Sequence, residues 1–218
     1  MTREDFHHKL DALDRDVVVM GRMVEQAVAL AARALAEGDA DLAAEVVGRD
    51  DQIDAMYLSI EEACYALLAQ QQPVARDLRL IVAILRVTND LERAGDLAVN
   101  LAKTVKRLTG GSAKPVAELT GKMGLEAAKL IDACIDAYEA KDLADADDLE
   151  RKDDVIDALF GELIGELLAL RGGERQEALQ TAINMVLVGR YFERIADHAV
   201  AVGAWVKYFI TGTPVGPR

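Results

Sequence analysis

The chain has 218 residues, about half of them apolar and mostly Ala, Leu and Val, with few aromatics, 4 prolines and a net charge of −13. This composition suits helices far better than strands, and the acidic balance excludes general nucleic-acid binding, which needs a basic face. It accommodates cations, a basic protein partner or plain solubility, and the length allows one domain or two of about a hundred residues each.

Apolar periodicity and punctuation predict six long helices. The first runs from about Asp5 to Ala36, with Leu10, Leu13, Val17, Met20, Val24, Ala27, Ala31 and Leu35 along one stripe. Gly38 stops it and Asp39 caps the next. That second helix runs to about Gln70, with Val46, Ile53, Met56, Ile60 and Leu67 facing inward. Pro73 takes a first-turn position, which tolerates proline, and the third helix follows to about Leu108. Thr109-Gly110-Gly111-Ser112 is the main break.

The second half repeats this plan. A helix from about Pro115 to Ala140 ends near Lys141-Asp142, the counterpart of Gly38-Asp39. Another runs to Leu170 and is stopped by Gly172-Gly173, and the last extends from about Glu174 to Ile210. Short connections between long amphipathic helices imply antiparallel neighbours. The expected fold is therefore all-α, a tandem repeat of two three-helix bundles. Its boundaries are residues 1–109 and 112–212, followed by a flexible tail over 213–218. Each bundle should be roughly 40–50 Å long at about 1.5 Å per residue.

Cys64 and Cys134, one per half and without CxxC spacing, read as buried thiols in a reducing cytoplasm. Met1-Thr2-Arg3-Glu4-Asp5 is too acidic for a signal peptide. No apolar run reaches the roughly eighteen residues of a membrane span; the longest candidate, Leu80 to Val87, is broken by Arg86.

Two segments about a hundred residues apart are nearly the same: Leu91-Glu92-Arg93-Ala94-Gly95-Asp96 and Phe192-Glu193-Arg194-Ile195-Ala196-Asp197. The Glu-to-Asp spacing stacks two carboxylates on one helix face, with the arginine pointing elsewhere. Upstream of each lies another acidic step, Asp50 to Asp54 and Asp153 to Asp157. Chance placement of 38 acids generates several such pairs, so the information lies in register. Asp157 follows Asp54 by 103 residues and Glu193 follows Glu92 by 101, which marks an internal repeat. Glu92, Asp96 and Asn100 place one oxygen-bearing side chain on each turn. Oxygen-only donors suit hard cations such as Mg²⁺, Ca²⁺ or Mn²⁺, and iron. A solvated face on an acidic protein is the other reading.

A di-iron core needs two inward Glu-x-x-His motifs, and only Glu4 to His7 has that spacing, without a twin. His198 has Leu97 as its counterpart and reads as a surface or interface histidine. Arg93 and Arg194 read as ordinary surface ion pairs. Arg76 and Arg79, at the start of the third helix, read as solvated or capping residues, with a phosphate or partner contact as the alternative. There is no P-loop, dinucleotide fingerprint or Gly-x-Ser-x-Gly elbow, and no nucleophile with a histidine base is identifiable.

Pro73-Val74-Ala75-Arg76-Asp77-Leu78-Arg79, Leu91 to Asp96 and Tyr191 to His198 together closely resemble the PhoU family, accessory regulators of the bacterial Pst phosphate transporter. The likeness spans essentially the whole chain. It implies a cytoplasmic, non-enzymatic and usually homodimeric protein, peripheral to the membrane only through its partners. Those partners would be the ATPase subunit of the Pst transporter and a PhoR-type histidine kinase. The implied role is negative regulation: repressing the phosphate-starvation response and restraining phosphate uptake when phosphate is plentiful. The resemblance also implies metal binding (iron, zinc, magnesium or manganese) through E/D-x-x-x-D motifs. By position, the first site would use Asp50, Asp54, Glu92, Asp96 and Asn100, and the second Asp153, Asp157, Glu193 and Asp197. Ala201 stands where the family often carries Asn, so the second site lacks one oxygen, and the neighbouring Gly203 lacks the bulk of a typical core residue. A metalloenzyme and a metal-free helical scaffold are the competing readings.

Overall fold

The structure, a computed structural model, describes residues 2–70, 72–108, 114–169 and 175–216. The predicted break at 109–112, the Gly172-Gly173 stop, the predicted helix ends at Leu170 and Glu174 and the last two residues of the tail lie outside them. Among the described residues there are six helices and no strand: α1 (Arg3–Glu37), α2 (Ala40–Gln70), α3 (Arg76–Val105), α4 (Lys114–Ala140), α5 (Leu143–Ala169) and α6 (Arg175–Thr211). None of them is long and apolar enough to cross a membrane.

Local sequence sets the helix ends. At the start of α1, Thr2 Oγ1 accepts from the Asp5 N–H at 3.1 Å and Asp5 Oδ2 accepts from the Thr2 N–H at 3.0 Å, satisfying two donors that a helix start leaves bare. Gly38 ends α1 in the left-handed region at φ 66°. Asp39 Oδ1 then caps α2, accepting from the N–H groups of Asp41 and Leu42 at 2.8 and 3.0 Å. The second half repeats this with Asp142 Oδ1, which accepts from Ala144 and Asp145 at 2.7 and 3.2 Å. There the left-handed residue is Lys141, at φ 54°, a conformation that costs a side-chain-bearing residue about 1–2 kcal/mol. Its ammonium offsets that cost, lying 2.8 Å from Asp14 Oδ1 and 3.6 Å from the centre of the Tyr138 ring.

Within each half the three helices pack on one another, and the halves also join, α1 against α4 and α3 against α6. One buried apolar cluster draws on all six helices. The outer helices are α2 and α5, with six and four buried residues against fifteen on α3. Most of the predicted stripes are buried; Leu35 and Met56 are only half-buried. Fully burying a Leu, Ile or Phe stabilises by about 1.5–3 kcal/mol, against about 0–1 kcal/mol for an exposed ion pair. The continuous core, rather than any charge network, therefore holds the halves together.

Glycines let α1 and α4 come close. A Cβ on Gly21 would overlap the Ile135 side chain, and one on Gly124 would lie 2.6 Å from the Ala32 Cβ. A shift of 103 residues carries Gly21 to Gly124 and Ala32 to Ile135, so the two contacts are one contact exchanged between repeats. Polar links cross the same seam. Arg22 of α1 pairs with Asp132, Asp136 and Glu139 of α4. The Tyr138 hydroxyl donates to Asp14 at 2.6 Å.

Two expected boundaries move. Pro73 does not occupy the first turn of α3, because Ala75 at φ 49° and ψ −110° turns the chain just before Arg76. At its other end α3 stops at Val105, after which Arg107 and Leu108 bond back only three residues, to Thr104 and Val105.

Candidate metal-binding faces

Helices α2 and α3 carry the first acidic face. Asp50, Glu92, Asp96 and Asn100 are half-buried and Asp54 is exposed. Burial pushes the Asp50 carboxyl above its ordinary range, helped by the charges of Asp54 and Asp96, while Lys103 opposes. Burial likewise raises Glu92, reinforced by Asp96, Asp54 and Asp50 and opposed by Arg93. The four predicted carboxylates thus share one electrostatic neighbourhood across the α2–α3 contact. Arg93 makes a surface ion pair of the expected kind, its Nε 3.5 Å from Glu92 Oε2 with the side chain 59% exposed, a geometry worth little. Tyr57, also under the field of Glu92, has its phenol raised by burial and by Glu61. Neither Tyr57 nor Lys103 is marked by the carboxylate spacing.

The second face, on α5 and α6, keeps the acids but changes their surroundings. Asp153 and Glu193 are half-buried, and Asp157 and Asp197 are exposed. Although exposed, Asp157 is raised by partial desolvation of its carboxyl, then by Glu193 and Asp154, and lowered by Arg190. Arg190 donates to Glu193 Oε2 and lies within the field of Asp197 and Asp157 as well. Its counterpart in the first half, 101 residues earlier, is Asn89. Each face therefore carries an arginine beside its Glu, Arg93 on the first and Arg190 on the second, and Arg190 also lies within the field of Asp157 and Asp197.

The donor set fits a hard cation, being all oxygen and mutually repulsive. The side chains are nevertheless splayed: among the described residues, no three His, Cys, Asp or Glu groups are gathered so as to hold one ion. Closure on a metal would require rotamer changes, which long carboxylate-bearing helices allow. Gly203 has a packing explanation. A Cβ there would lie 2.6 Å from Leu149 Cδ1 and 3.0 Å from the Ala146 carbonyl oxygen, so α5 supplies the missing bulk.

His198 sits at the α3–α6 interface, with Nδ1 3.0 Å from Asp90 Oδ1 and both groups largely buried. Arg194 is exposed. Arg79 caps the end of α6, its Nε donating weakly to the Phe209 carbonyl at 3.5 Å. Both cysteines are buried free thiols; burial pushes the Cys64 thiol up to about 12 and raises Cys134 as well, so neither is a reactive nucleophile.

The PhoU domain family matches residues 17–105 and 120–206, one copy in each half. A phosphate-specific transport system accessory protein PhoU homolog of Clostridium acetobutylicum is 34% identical over 216 residues, covering 99% of this chain and 98% of that protein. The phosphate-specific transport system accessory protein PhoU of Escherichia coli is 27% identical over 207 residues, covering 95% and 86%. The crystal structure of PhoU from Pseudomonas aeruginosa superposes with a TM-score of 0.89 at 32% identity, over 95% of this chain and all of that one. That of the phosphate transport system regulatory protein PhoU from Streptococcus pneumoniae gives 0.87 at 27%, over 97% of this chain and all of its own. With both repeats matched in order and nearly every residue covered, this chain belongs to the PhoU family.

Proposed function

We propose that the chain is a cytoplasmic regulatory adaptor of phosphate homeostasis. It links the ATPase subunit of a Pst-type phosphate transporter to a PhoR-type histidine kinase, represses the phosphate-starvation response and restrains uptake when phosphate is plentiful. The observation that carries this reading is the family match along both repeats, with relatives named accessory or regulatory proteins of phosphate transport. It acts by stoichiometric binding rather than turnover, as a homodimer.

In this reading the carboxylate faces take up a divalent cation or iron. Asp50, Asp54, Glu92, Asp96 and Asn100 would hold it on the first face, and Asp153, Asp157, Glu193 and Asp197 less readily on the second. A bound cation would offset the mutual repulsion and tie α2 to α3. A metal-free helical adaptor is the second reading, and the splayed acids favour it.

Deleting the gene should leave phosphate-starvation genes switched on in phosphate-rich medium, and the wild-type chain should switch them off again. Starvation genes that stay silent in the deletion strain would sink the adaptor reading. A variant with Glu92, Asp96, Glu193 and Asp197 all changed to Ala, shown by circular dichroism to fold, should fail to restore repression if metal organises the binding face. If that folded, metal-free variant represses as well as wild type, the metal-free reading stands.

A further inference from the structure

At the end of the molecule where α3 begins beside the end of α6, arginines and aromatic rings gather. The Arg76 guanidinium lies 5.6 Å from the centre of the Phe209 ring, and that of Arg86 lies 5.6 Å from the ring of Trp205. Trp205 meets Tyr208 edge-on at 5.7 Å. Both are half-exposed, and Trp205 is the single tryptophan of the chain. Val74 and Leu78 flank the cluster with 71% and 41% of their surface open to water. Asp77, the adjacent acid, is turned to His7 at 3.3 Å. Among the described residues neither Arg76 nor Arg86 has a carboxylate within ion-pair distance, although acids outnumber bases 38 to 25 in the sequence.

A guanidinium resting on a ring face keeps its N–H edge available to an oxyanion. Tryptophan, tyrosine and arginine are also the residues that dominate interface energies when a partner desolvates them. Arg76 and Arg86 are ten residues apart on α3, about 15 Å at about 1.5 Å per residue. That spacing along the backbone suits two carboxylates about three turns apart on a partner helix. We propose that this end of the α3–α6 pair is the docking surface for a carboxylate-bearing segment of a protein partner. On the adaptor reading above, on which this rests, the partner is the cytoplasmic ATPase subunit of the transporter. The arginines meet the acids, and Trp205, Tyr208, Val74 and Leu78 form the apolar floor.

The full chain, labelled with 5-fluorotryptophan, gives a single fluorine resonance from Trp205. Titration with the purified ATPase subunit from the same genome should shift or broaden it, with binding that weakens as salt rises. Arg76→Glu with Arg86→Glu should weaken binding by about tenfold or more. Lys106→Glu with Arg107→Glu changes the net charge equally at the far end of α3 and should leave binding within about twofold. If the reversed pair disturbs folding, Arg76→Gln with Arg86→Gln serves in its place and should weaken binding in the same direction. Tight binding by the wild type that survives both Arg76/Arg86 variants, or an unmoved Trp205 resonance at saturation, overturns the surface while leaving the adaptor reading intact. If the wild type fails to bind the subunit, the reading falls and the surface assignment with it. Capture of the wild type by vesicles of phosphatidylglycerol in preference to the subunit also overturns the proposal.

Discussion

The two carboxylate faces present the same acids in the same register and yet are different electrostatic objects. On the first, Asp50 and Glu92 are each pushed up by burial and by three acidic neighbours, opposed by Lys103 and Arg93 respectively. On the second, Arg190 bonds Glu193 and sits in the field of Asp157 and Asp197. One position at which the repeats differ in charge is Asn89 in the first and Arg190 in the second. A repeated motif conserves backbone register, but the charge balance of each copy depends on residues outside the motif.

The largest expected effect is on cation binding. At a hundred times its dissociation constant a ligand stabilises the folded state by about 2.7 kcal/mol, so Mn²⁺ or Mg²⁺ should raise the melting temperature of metal-free protein measurably. Asp96→Ala should remove most of that shift and Asp197→Ala less of it, since the second face keeps its arginine and lacks an equivalent of Asn100. Arg190→Gln should bring the two faces closer together by increasing the cation-dependent shift. Calorimetry in which Asp197→Ala costs as much as Asp96→Ala, or in which Arg190→Gln changes nothing, would break the comparison.

The next effect concerns how closely the outer helix approaches. Gly203→Ala should destabilise by about 1–3 kcal/mol, the usual cost of overpacking, because its methyl would meet a backbone oxygen at 3.0 Å. At the equivalent first-half position Ala102 is buried, and Ala102→Gly should cost only about 0.5–1 kcal/mol through helix propensity, plus the loss of one small contact. Urea midpoints would test this; equal costs would mean that α5 packs no closer than α2.

The smallest effect is a pH dependence. Asp50, Glu92 and Asp157 have carboxyls raised above their ordinary values, so the folded chain holds more protons than the unfolded one between the two ranges. Through these groups, stability falls as pH rises from about 4 through the raised values, and the penalty is fully present near neutrality. Without metal, Asp50→Asn should therefore raise the melting temperature at pH 7, and the gain should shrink toward pH 4. A gain that grows on acidification would contradict the burial of Asp50.

Much of the fold is legible in the sequence because its cues are local. The helix stripes follow a 3.6-residue period, and Gly38-Asp39 and Lys141-Asp142 announce the same stop-and-cap geometry. The joining of α1 to α4 is not announced, since Gly21 and Gly124 look like ordinary weak points until the partner helix is placed against them. The start of α3 is missed because nothing about alanine signals a positive φ at residue 75. The acids of the candidate faces are readable from register. Arg190 is not, because an Arg–Glu pair three residues apart is common on any helix surface. Comparing the repeats position by position, with Asn89 against Arg190, was the available signal.

The exchanged Gly21 and Gly124 contacts have a consequence for assembly. The two repeats meet as the subunits of an isologous dimer would, each offering the other the patch it receives. The chain has therefore already used, inside itself, the self-complementary surface that its α1 and α4 faces provide. Any twofold pairing of whole chains has to use other surface, such as that around the exposed Leu179, Ile183 and Leu187 of α6.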